Sequence, residues 1–177
     1  MKAYHFLKDN MKGGYGTEKA WEVGEEREVD GELIMCRWGY HASPSFYDAL
    51  TYAMGNMACI VELSGEIIKD TDKYVASKRK LINARNAEYV LREWGCDCAE
   101  RALQRAKVED KESWNAIKVA RLYNKGEATL GELVMARAAA RAAAWAAAWD
   151  AAGAAEVKWQ KKRLQWYMNK LFEGKEE

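Results

Sequence analysis

Residues 58–68 read ACIVELSGEII. Clustered apolar and β-branched residues over this length predict a buried strand, and a buried strand must find partners for its backbone groups. Working outward, GELIMCRW (31–38) has the same character and is predicted as a second strand. AYHFL (3–7) predicts a shorter one, and NMKGGYGTEKAWEVGEEREV (10–29) reads as a glycine-rich loop with a possible edge strand. Next to these lies GYHASPSFYDALTYA (39–53), a short strand that stops at a helix. Ser43 is placed to cap the first-turn amides, and Pro44 at the first helical position gives up no hydrogen bond. Phe46, Leu50 and Ala53 then fall on one helical face.

The composition changes near residue 86. Before it lie eight of the thirteen glycines, the one proline and both histidines. After it the pattern is helical. NAEYVLREWGCDCAERALQRA spaces Val90, Trp94, Cys98 and Ala102 four apart, and DKESWNAIKVARLYNKG ends at a glycine stop, Gly126. Thr129 and Glu132 form a capping-box pair. The helix they open is predicted to run from 130 to about 172, roughly 65 Å at 1.5 Å per residue. Its alanine-rich run, MARAAARAAAWAAAWDAAGAA, has high helix propensity and few side chains to pack. Trp145, Trp149, Trp159 and Trp166 fall within about 100° of one another on a helical wheel. That alignment predicts a self-association seam, with packing on the chain's own domain as the alternative. The expected fold class is α+β: a small mixed or antiparallel sheet domain with short helices over 1–85, then a helical extension over 86–177 with one long alanine-rich helix serving oligomerisation.

Bulk properties narrow the function. The 177 residues carry a net charge of +1 with acids and bases mixed, unlike the one-sided basic footprint of a nucleic-acid binder. No apolar run reaches membrane-spanning length and no secretory leader pattern opens the sequence, so a cytoplasmic protein with no membrane partner is expected. Cys36 and Cys59 lie in apolar strand-like runs, and Cys96-x-Cys98 lacks the usual zinc spacing. Free, mostly buried thiols are therefore expected.

No catalytic motif is complete. There is no G-x-S-x-G, no H-E-x-x-H and no phosphate loop. The chemistry-bearing residues gather around the two histidines. His5 and His41 each follow a tyrosine in a short strand, and neighbouring strands would let them share a cavity with Tyr40, Ser43, Tyr47 and Tyr52. A strand terminus meeting a helix start is a common ligand position. The basic run SKRK (77–80), with Lys78 and Arg79, is a solvated face or a phosphate contact. Two histidines without a third ligand make a poor zinc site, although Glu62 or Glu88 could supply one. No metal and no cofactor are predicted.

Two resemblances add to this reading. GYHASPSFYDALTYA, ACIVELSGEI and KYVASKRKLINA, in that order and followed by an Ala/Trp/Asp-rich tail, resemble an uncharacterised bacteriophage domain. This implies a phage-encoded accessory protein, with an anti-defence role, in a bacterial host's cytoplasm. The N-terminal half also resembles ADP-ribosyltransferases through His5 in AYHFL, Tyr52 in GYHASPSFYDALTY and Glu88 in NAEYVL. The resemblance implies that the histidine holds the NAD ribose and amide region, the tyrosine stacks on nicotinamide and the glutamate supports the attacking nucleophile. The residues themselves also let Glu88 start a helix. Three functions follow: a non-catalytic binder that sequesters a host nucleotide or NAD-derived molecule; an assembly factor using the Ala/Trp helix on itself or a host protein; and a transferase.

Overall fold

The computed structural model describes residues 1–13, 18–138 and 153–174. Two 13-residue antiparallel strands carry the first unit: β4 (Met57–Lys69) and β5 (Tyr74–Asn86). β1 (Lys2–Leu7) lies on the free edge of β4, with His5 opposite Cys59. The outer edge of β5 is shared by two short strands. β3 (Tyr40–Ala42) pairs with its first residues, and β2 (Glu26–Glu28) pairs further along. Past β3 the chain reaches back to β1. The Tyr4 amide donates to the Ser43 carbonyl at 2.9 Å, and the Ser43 amide donates to the Tyr4 carbonyl at 2.8 Å. The ladder β1–β4–β5–β3 therefore returns to its first strand, which removes edges that would otherwise stay open.

β5 is the main departure from the sequence expectation, which left SKRK as a charged run. Alternation explains it. Arg79 and Leu81 point to the buried side, while Lys78 points away and pairs with Glu28 at 3.1 Å. Two irregularities, between Ile60 and Val61 and between Ser64 and Ile67, let so long a hairpin coil. At the second, Gly65 has φ +72°, and a Cβ there would lie 2.1 Å from the Ser77 hydroxyl.

Residues 31–38 are not the predicted strand. They form a tight loop closed by an Ile34–Trp38 bridge, with Cys36 at φ +65° and exposed. Gly31 and Gly39, both at positive φ, bracket it. The helix that follows is α1 (Phe46–Leu50), and its cap is Ser45 rather than Ser43. Ser43 is drawn into the bridge with Tyr4, so the next serine accepts the Asp48 amide instead. Phe46 packs at 4.4 Å on Tyr4, and at 5.5 Å, stacked, on Phe172. The other side of the sheet buries Ala3, Leu7, Trp21, Cys59, Val61, Leu63 and Leu81.

This first unit comprises 1–88 with 168–177, and residues 89–167 make a second. α2 (Glu88–Arg105) and α3 (Lys111–Asn124) occupy the two predicted helical stretches, the latter capped by Asp110. A fourth helix, α4, covers 130–138 and opens at Thr129, whose amide donates to the Glu132 carboxylate at 2.7 Å while its hydroxyl accepts the Glu132 amide at 3.2 Å, the two bonds of a capping box. Leu103, Ile117, Ala120, Leu133 and Cys96 form the apolar cluster of this unit. Gly153 is a bend, and α5 (Ala154–Glu173) starts immediately after it. The continuous helix expected to about 172 is thus interrupted at Gly153. Trp145 and Trp149 lie outside the described residues. Trp159 stacks under Arg101 at 4.6 Å, and Trp166 under Arg163 at 4.4 Å with its ring exposed. Among the described residues no helix is long and apolar enough to cross a membrane. The cysteines are free; Cys59 and Cys96 are buried, Cys98 is half-buried, and Cys36 is exposed because its loop leaves the sheet.

Candidate functional site

Strand register gathers the chemistry on one face of the first unit. His5 lies beside Cys59, and Arg79 beside Leu63 on the same strand, β4. Paired residues share a face, so His5 and Arg79 face the same interior. A cavity of about 640 Å³ opens there, within the range of small-molecule sites. Its floor includes His5, Arg79 and Tyr40. Its wall includes Glu18, His41 and Ser43. Its mouth includes Arg37, Trp38, Tyr52, Met54 and Lys73.

Arg79 is the unusual member. It is only 5% exposed. Its guanidinium lies 4.4 Å from the Trp21 ring and 5.1 Å from the Tyr40 ring, and Nη1 donates to the His41 carbonyl at 3.0 Å. Among the described residues no carboxylate comes within ion-pair distance of it. Glu18, the acid in the cavity wall, is occupied elsewhere: it accepts from Trp21 Nε1 at 2.9 Å and from Arg27 Nη1 at 3.1 Å. Burial pulls Arg79 down to about 10, so the group stays cationic at neutral pH. A desolvated cation without a counter-ion is costly unless something anionic meets it.

The two imidazoles are neutral there. Burial, then Arg79 and His41, hold His5 well below its ordinary value. Burial also lowers His41, against an opposing hydrogen bond with the Gly39 backbone. Geometry fixes the His41 tautomer, because Nε2 accepts the Cys36 amide at 2.9 Å. Burial raises Tyr40, keeping its phenol protonated.

The mouth is wetter and more aromatic. Trp38 is 50% exposed, with its indole N–H fixed on the Asp30 carbonyl at 2.9 Å. Tyr52 donates to Asp72 at 2.6 Å, and the Lys73 ammonium sits 5.2 Å over its ring. A hydrogen bond with the Cys36 side chain raises Lys73.

Of the eight residues predicted to bind ligand, the structure brings six to the cavity: His5, Tyr40, His41, Ser43, Tyr52 and Arg79. Lys78 is turned away toward Glu28, and Tyr47 is not among the lining residues. Glu88 begins α2 and does not line the cavity either, so the three residues of the transferase resemblance do not converge. The strand predicted over 31–38 conceals Cys36, Arg37 and Trp38, and Met54 lies just past the predicted helix. The glycines at both ends of 31–38 were the available signal for a loop. The sequence expectation also omits Trp21, which supports Arg79 from below.

A family defined by a domain of unknown function (DUF7666) matches residues 1–93. No curated protein and no solved structure matches the chain.

Proposed function

The chain belongs to the DUF7666 family, a domain of unknown function, and we propose that its first unit binds a nucleotide or a nucleotide-derived small molecule without transforming it. The observation that carries this reading is Arg79, a buried guanidinium held between two rings at the floor of a cavity and lacking a carboxylate partner among the described residues. An acidic group on a ligand would complete its pairing. The exposed rings of Trp38 and Tyr52 offer π-faces of the kind on which bases stack, and Lys73 and Arg37 favour approach of an anion. Neither neutral imidazole abuts a carboxylate or a serine in the manner of an activated nucleophile, which favours capture over catalysis. A phage-encoded protein that sequesters a host nucleotide signal is the biological setting this reading suits.

Titration calorimetry of the full chain against nucleoside mono-, di- and triphosphates, cyclic nucleotides and NAD tests it. Binding that is lost in Arg79→Gln supports the reading. Absence of heat across the panel removes it. Assembly through the helical region is a second reading, favoured by the exposed Leu130, Val134 and Met135 on the 130–138 helix. Light scattering that finds a monomer at all concentrations would dismiss it.

A further inference from the structure

We propose that the bound nucleotide carries a singly charged phosphodiester, as in a cyclic nucleotide, with the phosphate inward on Arg79 and the base outward against the aromatic rim. This rests on the nucleotide reading above and narrows it.

Depth sets the orientation. Arg79 is 5% exposed, whereas Trp38 is 50% exposed and Tyr52 is 43% exposed. A ligand using both must point its acid inward and its ring outward. Any further phosphate then lies between them, in the enclosed part of the cavity. Among the described residues that part supplies one cation, Arg79. His41 spends Nε2 on the Cys36 amide, so it cannot take a proton there and keep that bond. His5 shares the floor with Arg79, whose charge disfavours a second cation beside it. The wall adds no further cation, and the Glu18 carboxylate that lines it is paired with Arg27 at 3.1 Å. Lys73 and Arg37 do not alter the count inside. They sit at the mouth, where solvent screens them, and Lys73 lies over the ring of Tyr52, whose hydroxyl holds Asp72. One diester charge matches one guanidinium, and the His5 imidazole and Ser43 remain as hydrogen-bonding groups for its oxygens. A dianionic monoester, a pyrophosphate or a triphosphate would each leave charge unmatched in a desolvated space.

The test is calorimetry on the full chain at fixed pH and salt. Its probes are the adenosine and guanosine 3′,5′-cyclic monophosphates, the matching 5′-monophosphates, and the 5′-triphosphates. The expected result is a cyclic nucleotide as the tightest ligand of its series, with each added charge weakening binding by about tenfold or more. A 5′-monophosphate or triphosphate that binds as tightly as its cyclic counterpart overturns the diester assignment and leaves the nucleotide reading standing. No heat with any of these probes or with NAD removes both. In parallel, Arg79→Gln is expected to abolish cyclic-nucleotide binding, and retained affinity within about threefold, less than 1 kcal/mol, overturns the inward placement. If that variant does not fold, the wild-type ranking decides alone.

Discussion

The two units use arginine in opposite ways. In the helical unit every arginine of the central network has an acid. Asp97 accepts from Arg121 at 3.0 Å and from Arg163 at 2.7 Å, and its second oxygen also takes the Tyr167 hydroxyl at 2.8 Å. Glu156 takes both Arg101 and Arg105. In the sheet unit, two arginines lean on the same tryptophan with different outcomes. Arg27 sits 4.1 Å from Trp21 and is held by Glu25 and Glu18. Arg79 sits 4.4 Å from Trp21 and is more deeply buried, yet has no acid within ion-pair distance among the described residues. Paired charges finish a structure. A buried charge without an acid partner keeps its desolvation cost, which weakens the fold that holds it.

The comparison can be broken most decisively in the helical unit. Asp97→Ala removes the acceptor of Arg163 and Tyr167 and leaves Arg121 with Glu93 and Glu100, and is expected to lower unfolding free energy by about 2 kcal/mol, below the fully buried case because Arg121 and Arg163 are partly solvated. Arg79→Met should behave differently. Losing a desolvated cation for an apolar side chain of similar length is expected to change stability by less than about 1 kcal/mol, in either direction. Chemical denaturation of both variants checks the pair, and a loss at Arg79 equal to that at Asp97 would make Arg79 a structural residue. A loss intermediate between these two is expected at Ser45→Ala, about 1 kcal/mol from the lost helix cap, with Ser43→Ala leaving the cap intact. Smallest of all is Lys78→Ala: its pair with Glu28 is exposed, so stability should move by less than about 1 kcal/mol and ligand affinity should not move.

Acidity sharpens the same contrast. His5 is held below its ordinary value of 6.5 in the folded protein. Below 6.5 the unfolded chain therefore binds a proton that the folded chain refuses, so stability falls as pH drops from 6.5 toward the folded value. Above 6.5 both states are neutral there and the contribution vanishes. His5→Gln should flatten that part of the stability profile, measured by denaturant midpoints between pH 7 and 5.

Much of this was legible in the sequence, and the failures share a cause. ACIVELSGEII, AYHFL and the Thr129–Glu132 cap are local signals, and the structure contains them. β5 was hidden because its inward face includes a cation instead of a hydrophobe, so a strand looked like a solvated run. The loop 31–38 defeats the pattern because its apolar residues do not share one buried face: Leu33 is buried, whereas Ile34 and Trp38 stay exposed and Trp38 lines the cavity. Both errors fall at the candidate site, where local pattern and function pull apart. The cap moved from Ser43 to Ser45 for a reason no local pattern contains, the long-range bridge to Tyr4.

The central claim is that Arg79 meets a ligand's anionic group at the cavity floor, and a crystal structure of the full chain with a cyclic nucleotide bound is its most direct test. The expected density places a phosphate oxygen about 3 Å from an Arg79 guanidinium nitrogen with the base against Trp38 or Tyr52. A ligand bound elsewhere on the surface, with the cavity filled only by water at saturating concentration, would contradict it.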